Sequence, residues 1–176
     1  MTSVLPASEE TMSEGGYALI GVALGGMLGL IGQFALEKLR QCAEAKAVAA
    51  AFAAEISGLK ENAERRRFEQ YYQNLLEGWR RGENVDFLPE VPGADSNLTP
   101  IGSAYVGRLG VLAPQDVSDV VLFYQRFDQI NGTIVLLAQG FYSTLASRIE
   151  VVEGELENSR NNFALAENLI ERLKKY

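Results

Sequence analysis

The sequence contains no histidine and a single cysteine, Cys42. A lone thiol forms no internal disulfide, which excludes a disulfide-stapled secreted scaffold. Without histidine there is no Ser–His or Cys–His nucleophile pair and no Cys/His zinc site. Routine acid–base catalysis near neutral pH loses its usual residue, leaving only carboxylate, lysine or tyrosine chemistry. Proline is scarce too: after Pro6 none occurs until Pro89, so nothing of that kind interrupts a long helix-permissive stretch. Strand-like alternation of useful length and internal repeats are likewise missing. Basic residues are outnumbered, 16 against 23 acids, for a net charge of −7 over 176 residues. That average repels polyanions and argues against nucleic acid as a partner.

The charge is unevenly spread. Residues 1–16 carry Glu9, Glu10 and Glu14 and no Lys or Arg. Residues 37–81 hold nine basic and seven acidic side chains, and residues 82–176 hold seven and thirteen. Between these segments, Tyr17 to Leu36 reads YALIGVALGGMLGLIGQFAL, twenty residues without a charge, with Gln33 the one strongly polar side chain. At about 1.5 Å per residue this is about 30 Å of helix, the thickness of a hydrocarbon core. The expectation is a single transmembrane helix over 17–36, preceded by a short acidic tail (1–16) and followed by a helical domain in water (37–176). A buried core helix of this length would seldom carry five glycines. A cleavable leader would open with basic residues, where this stretch is preceded by acids. Lys38, Arg40 and Lys46 follow it closely, so the positive-inside rule puts the N-terminus out and the C-terminal domain in the cytoplasm. The expected location is therefore the inner (cytoplasmic) membrane.

Gly21, Gly25 and Gly29 lie four apart on one helix face. Overlapping G-x-x-x-G steps let two backbones approach closely, so the span is expected to self-associate or to pair with another membrane protein. Chance is the competing account, since glycine is common in spans. The same glycines form no phosphate loop, because no Lys-Ser/Thr follows them. Cys42, just beyond the span, is a candidate for palmitoylation but is read as a small packed residue on an Ala-rich helix.

Residues 37–80 are rich in good helix formers. Phe52, Ile56, Leu59 and Ala63 form one stripe, and Phe68, Tyr71, Tyr72, Leu75, Leu76 and Trp79 a second of shifted phase. This predicts one long helix over about 37–80, with a candidate break at Ser57-Gly58. Its Ala-rich part, 43–54, suits tight helix contact, either with a second copy or with the chain's own C-terminal helices. Residues 82–98 collect Gly, Pro, Asp and Asn and read as a long loop. Thr99-Pro100 looks like an N-cap and N1 proline opening a short helix over about 99–109, closed by Gly110. Pro114 opens the next, about 114–139, with Asp116 and Asp119 in the favoured acidic first turns. A last helix is expected over about 141–175. Asn131-Gly132, Gly140 and Gly154 are all candidate breaks. The fold class is thus all-α: a transmembrane helix continuing into an antiparallel bundle of three to four helices.

Within this frame the segment LTPIGSAYVGRLGVLAPQDVSDVVLFYQRFDQI (Leu98–Ile130) resembles a pattern in uncharacterised bacterial and phage single-span membrane proteins with a cytoplasmic helical domain. The residues that carry the likeness are Leu109-Gly110, Pro114 and Phe123-Tyr124, and it covers about a fifth of the chain. The resemblance implies an inner-membrane protein and carries no activity with it.

Candidate sites each have a plain alternative. Arg65, Arg66, Arg67, Arg80 and Arg81 form a candidate basic interaction surface for lipid or a phosphorylated ligand. Consecutive helical residues point about 100° apart, however, which favours a solvated face. Asp116 and Asp119 sit one turn apart and are read as helix-start acids more readily than as metal ligands. Tyr71, Tyr72 and Trp79 read as core. No catalytic, cofactor or metal residues are assigned, and no small-molecule substrate is evident. The expected role is a non-enzymatic membrane-anchored interaction or scaffold protein. Its alternative is a pore-forming or permeabilising phage or defence effector, in which Gln33 alone would line a polar path.

Overall fold

A computed structural model of the chain describes residues 14–83, 85, 87 and 99–176, without the side chains of 14–21, 23 and 24. Most of the acidic tail and of the loop at 82–98 lies outside the described residues. Among the described residues there are five α-helices, one 3₁₀ segment and no strand. The chain divides into two units, Met1–Cys42 and Ala43–Tyr176, a boundary six residues beyond the one read from composition. The helices are α1 (Glu14–Arg65), α2 (Phe68–Arg80), α3 (Pro100–Tyr105), α4 (Pro114–Ala138) and α5 (Leu145–Leu173), with the 3₁₀ segment Val106–Val111 following α3. Among the described residues no helix is long and apolar enough to cross a membrane. Seven of the twenty side chains of 17–36 lie outside the description, so the expected span falls only partly within it.

In the larger unit, α4 and α5 form an antiparallel hairpin. Asp116 faces Arg172, Phe123 faces Asn162, and Thr133 faces Glu155. Two apolar clusters sit along it. Val48, Ala49, Phe52 and Ile56 of α1 pack with Val120 and Phe123 of α4 and with Ala166, Leu169 and Leu173 of α5. Tyr72, Leu75, Leu76 and Trp79 of α2 pack with Ile130, Ile134, Leu137, Val152 and Leu156. Alanine on the α1 face lets that helix lie close to the hairpin, which is what its richness in small side chains achieves.

The helix expected over about 37–80 is two helices, and the break is not at Ser57-Gly58. α1 runs through Gly58 and turns at Arg66-Arg67, where Arg67 is left-handed with φ 51°. The phase shift between the two stripes is the reason. Each serves a different apolar cluster, and the chain must rotate between them. A non-glycine residue in this region costs about 1–2 kcal/mol. Arg67→Gly should therefore stabilise the chain by roughly 0.5–1 kcal/mol, less than the full relief because glycine loosens the unfolded chain. A rise in the urea midpoint checks this; a fall would mean the Arg67 side chain contributes more than the strain removes.

Elsewhere the breaks follow handedness. α4 continues through Asn131-Gly132 and α5 through Gly154, while the turn between them uses Gly140, φ 72°. Gly140 N–H donates to Leu137 O and Phe141 N–H to Leu136 O, a Schellman closure. α5 opens at Thr144, whose hydroxyl accepts from Ser147 N–H at 3.1 Å, rather than at residue 141. The short helix expected over about 99–109 is α3 tightening into the 3₁₀ segment, so Gly110 closes no α-helix. After α2 the chain folds back over Gly78, where a Cβ would meet Val85 Cγ2 at 2.6 Å, and Trp79 Nε1 donates to Val85 O at 2.9 Å.

Candidate interaction surface

The feature that sets the first unit apart is apolar exposure on every side of a helix. Val22, Met27, Leu28, Leu30, Ile31, Phe34, Leu36 and Leu39 are 59–75% exposed. Successive helical positions turn by about 100°, so positions 27, 28, 30, 31 and 34 fill one side of the helix and Val22, Leu36 and Leu39 fall on the other, which spreads the eight around the circumference. The part of α1 in the second unit is different: it buries one stripe, Ala45, Val48, Ala49, Phe52, Ala53 and Ile56, and exposes alanines with Lys46 and Ser57, then Glu61, Asn62, Glu64 and Arg65. A helix that is hydrophobic all round has its stable place in a protein core or a bilayer, not in water. Gly25, Gly26, Gly29 and Gly32 have nothing within 4 Å of where a Cβ would stand. Their smallness therefore serves no contact among the described residues. Gly21 lies in the same helix; its surroundings are outside the described residues. Cys42 is a free, exposed thiol, so it is not the packed residue that was expected.

The five arginines do not gather into one patch. Arg65 is bonded to Glu61 at 2.9 Å, Arg66 donates its N–H to Asn62 O, and Arg67 occupies the turn. Arg80 pairs with Glu153 across to α5, and Arg81 with Glu83 at 2.7 Å. The two groups stand at opposite ends of the 13-residue α2, about 20 Å apart. Tyr72 and Trp79 are buried in the core, as expected of a packed stripe, while Tyr71 is at the surface. Burial, with the neighbouring Tyr71 and Glu155, pushes the Tyr72 hydroxyl far above its ordinary range.

Asp116 and Asp119 share one cation, the Arg172 guanidinium at the other end of the hairpin. Arg172 Nε donates to Asp116 Oδ1 at 2.8 Å, and its terminal nitrogen donates to Asp119. Tyr176 Oη donates to Asp116 Oδ2 at 2.7 Å and accepts from Ala113 N–H at 2.8 Å. Burial pushes the Asp116 carboxyl up, but the hydrogen bonds from Arg172 and Tyr176 and the guanidinium charge outweigh it and hold the group below its ordinary value. A second network joins α1 to α3. Glu55 accepts from the N–H groups of Ile101 and Gly102 at 2.7 and 2.8 Å and from the Tyr124 hydroxyl. The cap of α3 is thus a carboxylate 46 residues upstream, not Thr99, whose side chain makes no capping bond. Burial and the bond to Glu55 raise the Tyr124 hydroxyl well beyond the usual tyrosine range. Gly102 packs against that ring, where a Cβ would stand 2.9 Å from Tyr124 Cζ.

Both networks are saturated internally. Between the two apolar clusters lies a cavity of about 80 Å³ lined by Leu59, Phe68, Phe123, Phe127, Ile130 and Asn162, among others. Pockets that take substrate-sized molecules are about 300–1,000 Å³, so this one is too small for that use. A wider polar groove of about 460 Å³ lies between α2 and α5, but its Arg80 and Arg160 are already paired with Glu153 and Glu69. The exposed apolar helix is the candidate functional surface. No family model matches the chain, and no curated protein or solved structure is significantly similar to it.

Proposed function

We propose that the chain is a non-catalytic, single-span membrane protein whose helical unit, residues 43–176, is held at the cytoplasmic face of a bacterial or phage-encoded inner membrane to bind partners. The observation that carries this reading is the apolar circumference of α1: large hydrophobic side chains from Val22 to Leu39, 59–75% exposed, continuous with a twenty-residue stretch free of charge. Water is a poor solvent for such a helix, and lipid is a good one. The flanking charges support the orientation, with Glu9, Glu10 and Glu14 on one side and Lys38 and Arg40 on the other. The open surroundings of Gly25 and Gly29 support a second helix packing there, from another copy or another membrane protein.

The test is fractionation of the full-length chain from its expression host, with alkaline carbonate washing. Retention in the membrane pellet, and release only by detergent, is the expected result. Recovery in the aqueous supernatant without detergent would end the reading.

A further inference from the structure

We infer that one end of the helical unit is a docking face for anionic lipid headgroups, built from Lys46, Lys174 and Lys175. The inference rests on the membrane reading above and adds a specific lipid contact to it. In the sequence Lys46 lies about 130 residues from the lysine pair, and nothing local connects them. The fold brings their ends of the chain together. Val48 and Ala49 of α1 belong to the same apolar cluster as Leu169, Ile170 and Leu173 of α5. Glu44 accepts from Arg108 of the 3₁₀ segment at 2.6 Å, and Ala113, at the start of α4, donates to Tyr176. The first turn of α1 in this unit, the 3₁₀ segment, the start of α4 and the end of α5 therefore form one end of the bundle.

The charges at this end are segregated by how they are used. Glu44 is spent on Arg108, and Asp116 and Asp119 on Arg172. Lys46, Lys174 and Lys175 are exposed and make no ion pair among the described residues. Among the described acidic side chains at this end, exposed Glu171 alone has no cationic partner. A chain of net charge −7 thus shows three unneutralised lysines where its acids are otherwise consumed. Covalent continuity says what they meet. Ala43, the first residue of this unit, follows Leu36 by seven residues, about 10 Å of helix. That keeps Lys46 within reach of a headgroup layer, where each lysine near an anionic leaflet is attracted. Within the unit, Lys174 and Lys175 stand at the same end of the bundle as Lys46. The α5 terminus is well suited to report this, since Lys174 N–H and Lys175 N–H donate to Ile170 O and Arg172 O in a last, exposed turn.

The experiment uses the full-length chain in vesicles of phosphatidylcholine alone or doped with phosphatidylglycerol. Flotation reads the anchor, and amide hydrogen exchange over residues 171–176 reads the docking face. Exchange there should be roughly fivefold slower in the doped vesicles, the attraction of one lysine, and should revert at high salt. The variant K46E/K174E/K175E should lose the difference, and the matching arginine variant should keep it. These side chains are exposed and unpaired, so the fold survives the changes. Equal exchange in the two vesicle types, with flotation in both, overturns the docking face alone. Flotation in neither overturns the anchor and the docking face together.

Discussion

With Met27 and Leu28 both replaced by arginine, the full-length chain should leave the membrane pellet and appear in the aqueous fraction. The two positions lie at the midpoint of residues 17–36, where each arginine costs about 2.5–3.5 kcal/mol on insertion scales. Together they oppose insertion by roughly 6 kcal/mol, four powers of ten in partitioning. The span is glycine-rich and only moderately apolar, so it has little excess to absorb that. A control at Leu39→Arg, among the basic residues beyond the stretch, should change nothing. Met27 and Leu28 are 65% and 70% exposed, so a second outcome follows. The helical unit should keep its helicity and its Trp79 emission, because neither residue touches the core. Had these residues belonged to a core, two arginines would unfold the unit. A double variant that still resists carbonate extraction would sink the membrane reading.

What the sequence discloses of this architecture depends on distance along the chain. Period puts Val117, Val120, Val121, Tyr124, Phe127, Ile130, Ile134, Leu137 and Phe141 on one helical face; Val120, Ile130, Ile134 and Leu137 are buried, while Val121 and Phe141 are exposed and Phe123, off that face by period, is buried. Local chemistry also marked the proline starts at Pro100 and Pro114 and offered Gly140 as one of three candidate breaks, the one at which the chain turns. It failed where tertiary contacts decide. Gly58, Gly132 and Gly154 are helix breakers by propensity, at about 1 kcal/mol each against alanine, but packing along the hairpin outweighs that. Arg66-Arg67 carries no turn signature at all, yet the chain turns there because two apolar stripes must reach two clusters. Glu55 as the cap of α3, and Arg172 as the cation for two aspartates, were illegible for the same reason. Their partners lie 46 to 56 residues away, and only the antiparallel register of α4 and α5 brings the second set together. The candidate surface was legible throughout, because continuous apolarity is a local property.

Replacing Arg172 with leucine should destabilise the helical unit by about 3 kcal/mol near neutral pH. Stripping one partner from a buried pair costs about 3–5 kcal/mol; the lower end applies because the Arg172 side chain is 36% exposed and water screens it. Leucine retains most of the aliphatic packing, so the loss is electrostatic: Asp116 and Asp119, with side chains 8% and 12% exposed, are left facing each other. The pH dependence separates this from a packing defect. In the native chain the folded Asp116 lies below its unfolded value of 3.8. Its contribution is fully present above that value and is lost as the pH falls through the lower, folded one. In Arg172→Leu, burial opposes only the Tyr176 hydrogen bond, so the Asp116 carboxyl rises. A group whose folded carboxyl is raised costs stability at neutral pH and returns it as acid protonates it. The gap between native and variant should therefore narrow steadily from neutral pH towards pH 4. Urea unfolding of the full-length chain in detergent, across that range, measures it. A gap independent of pH would assign the loss to packing and remove the two aspartates from the argument.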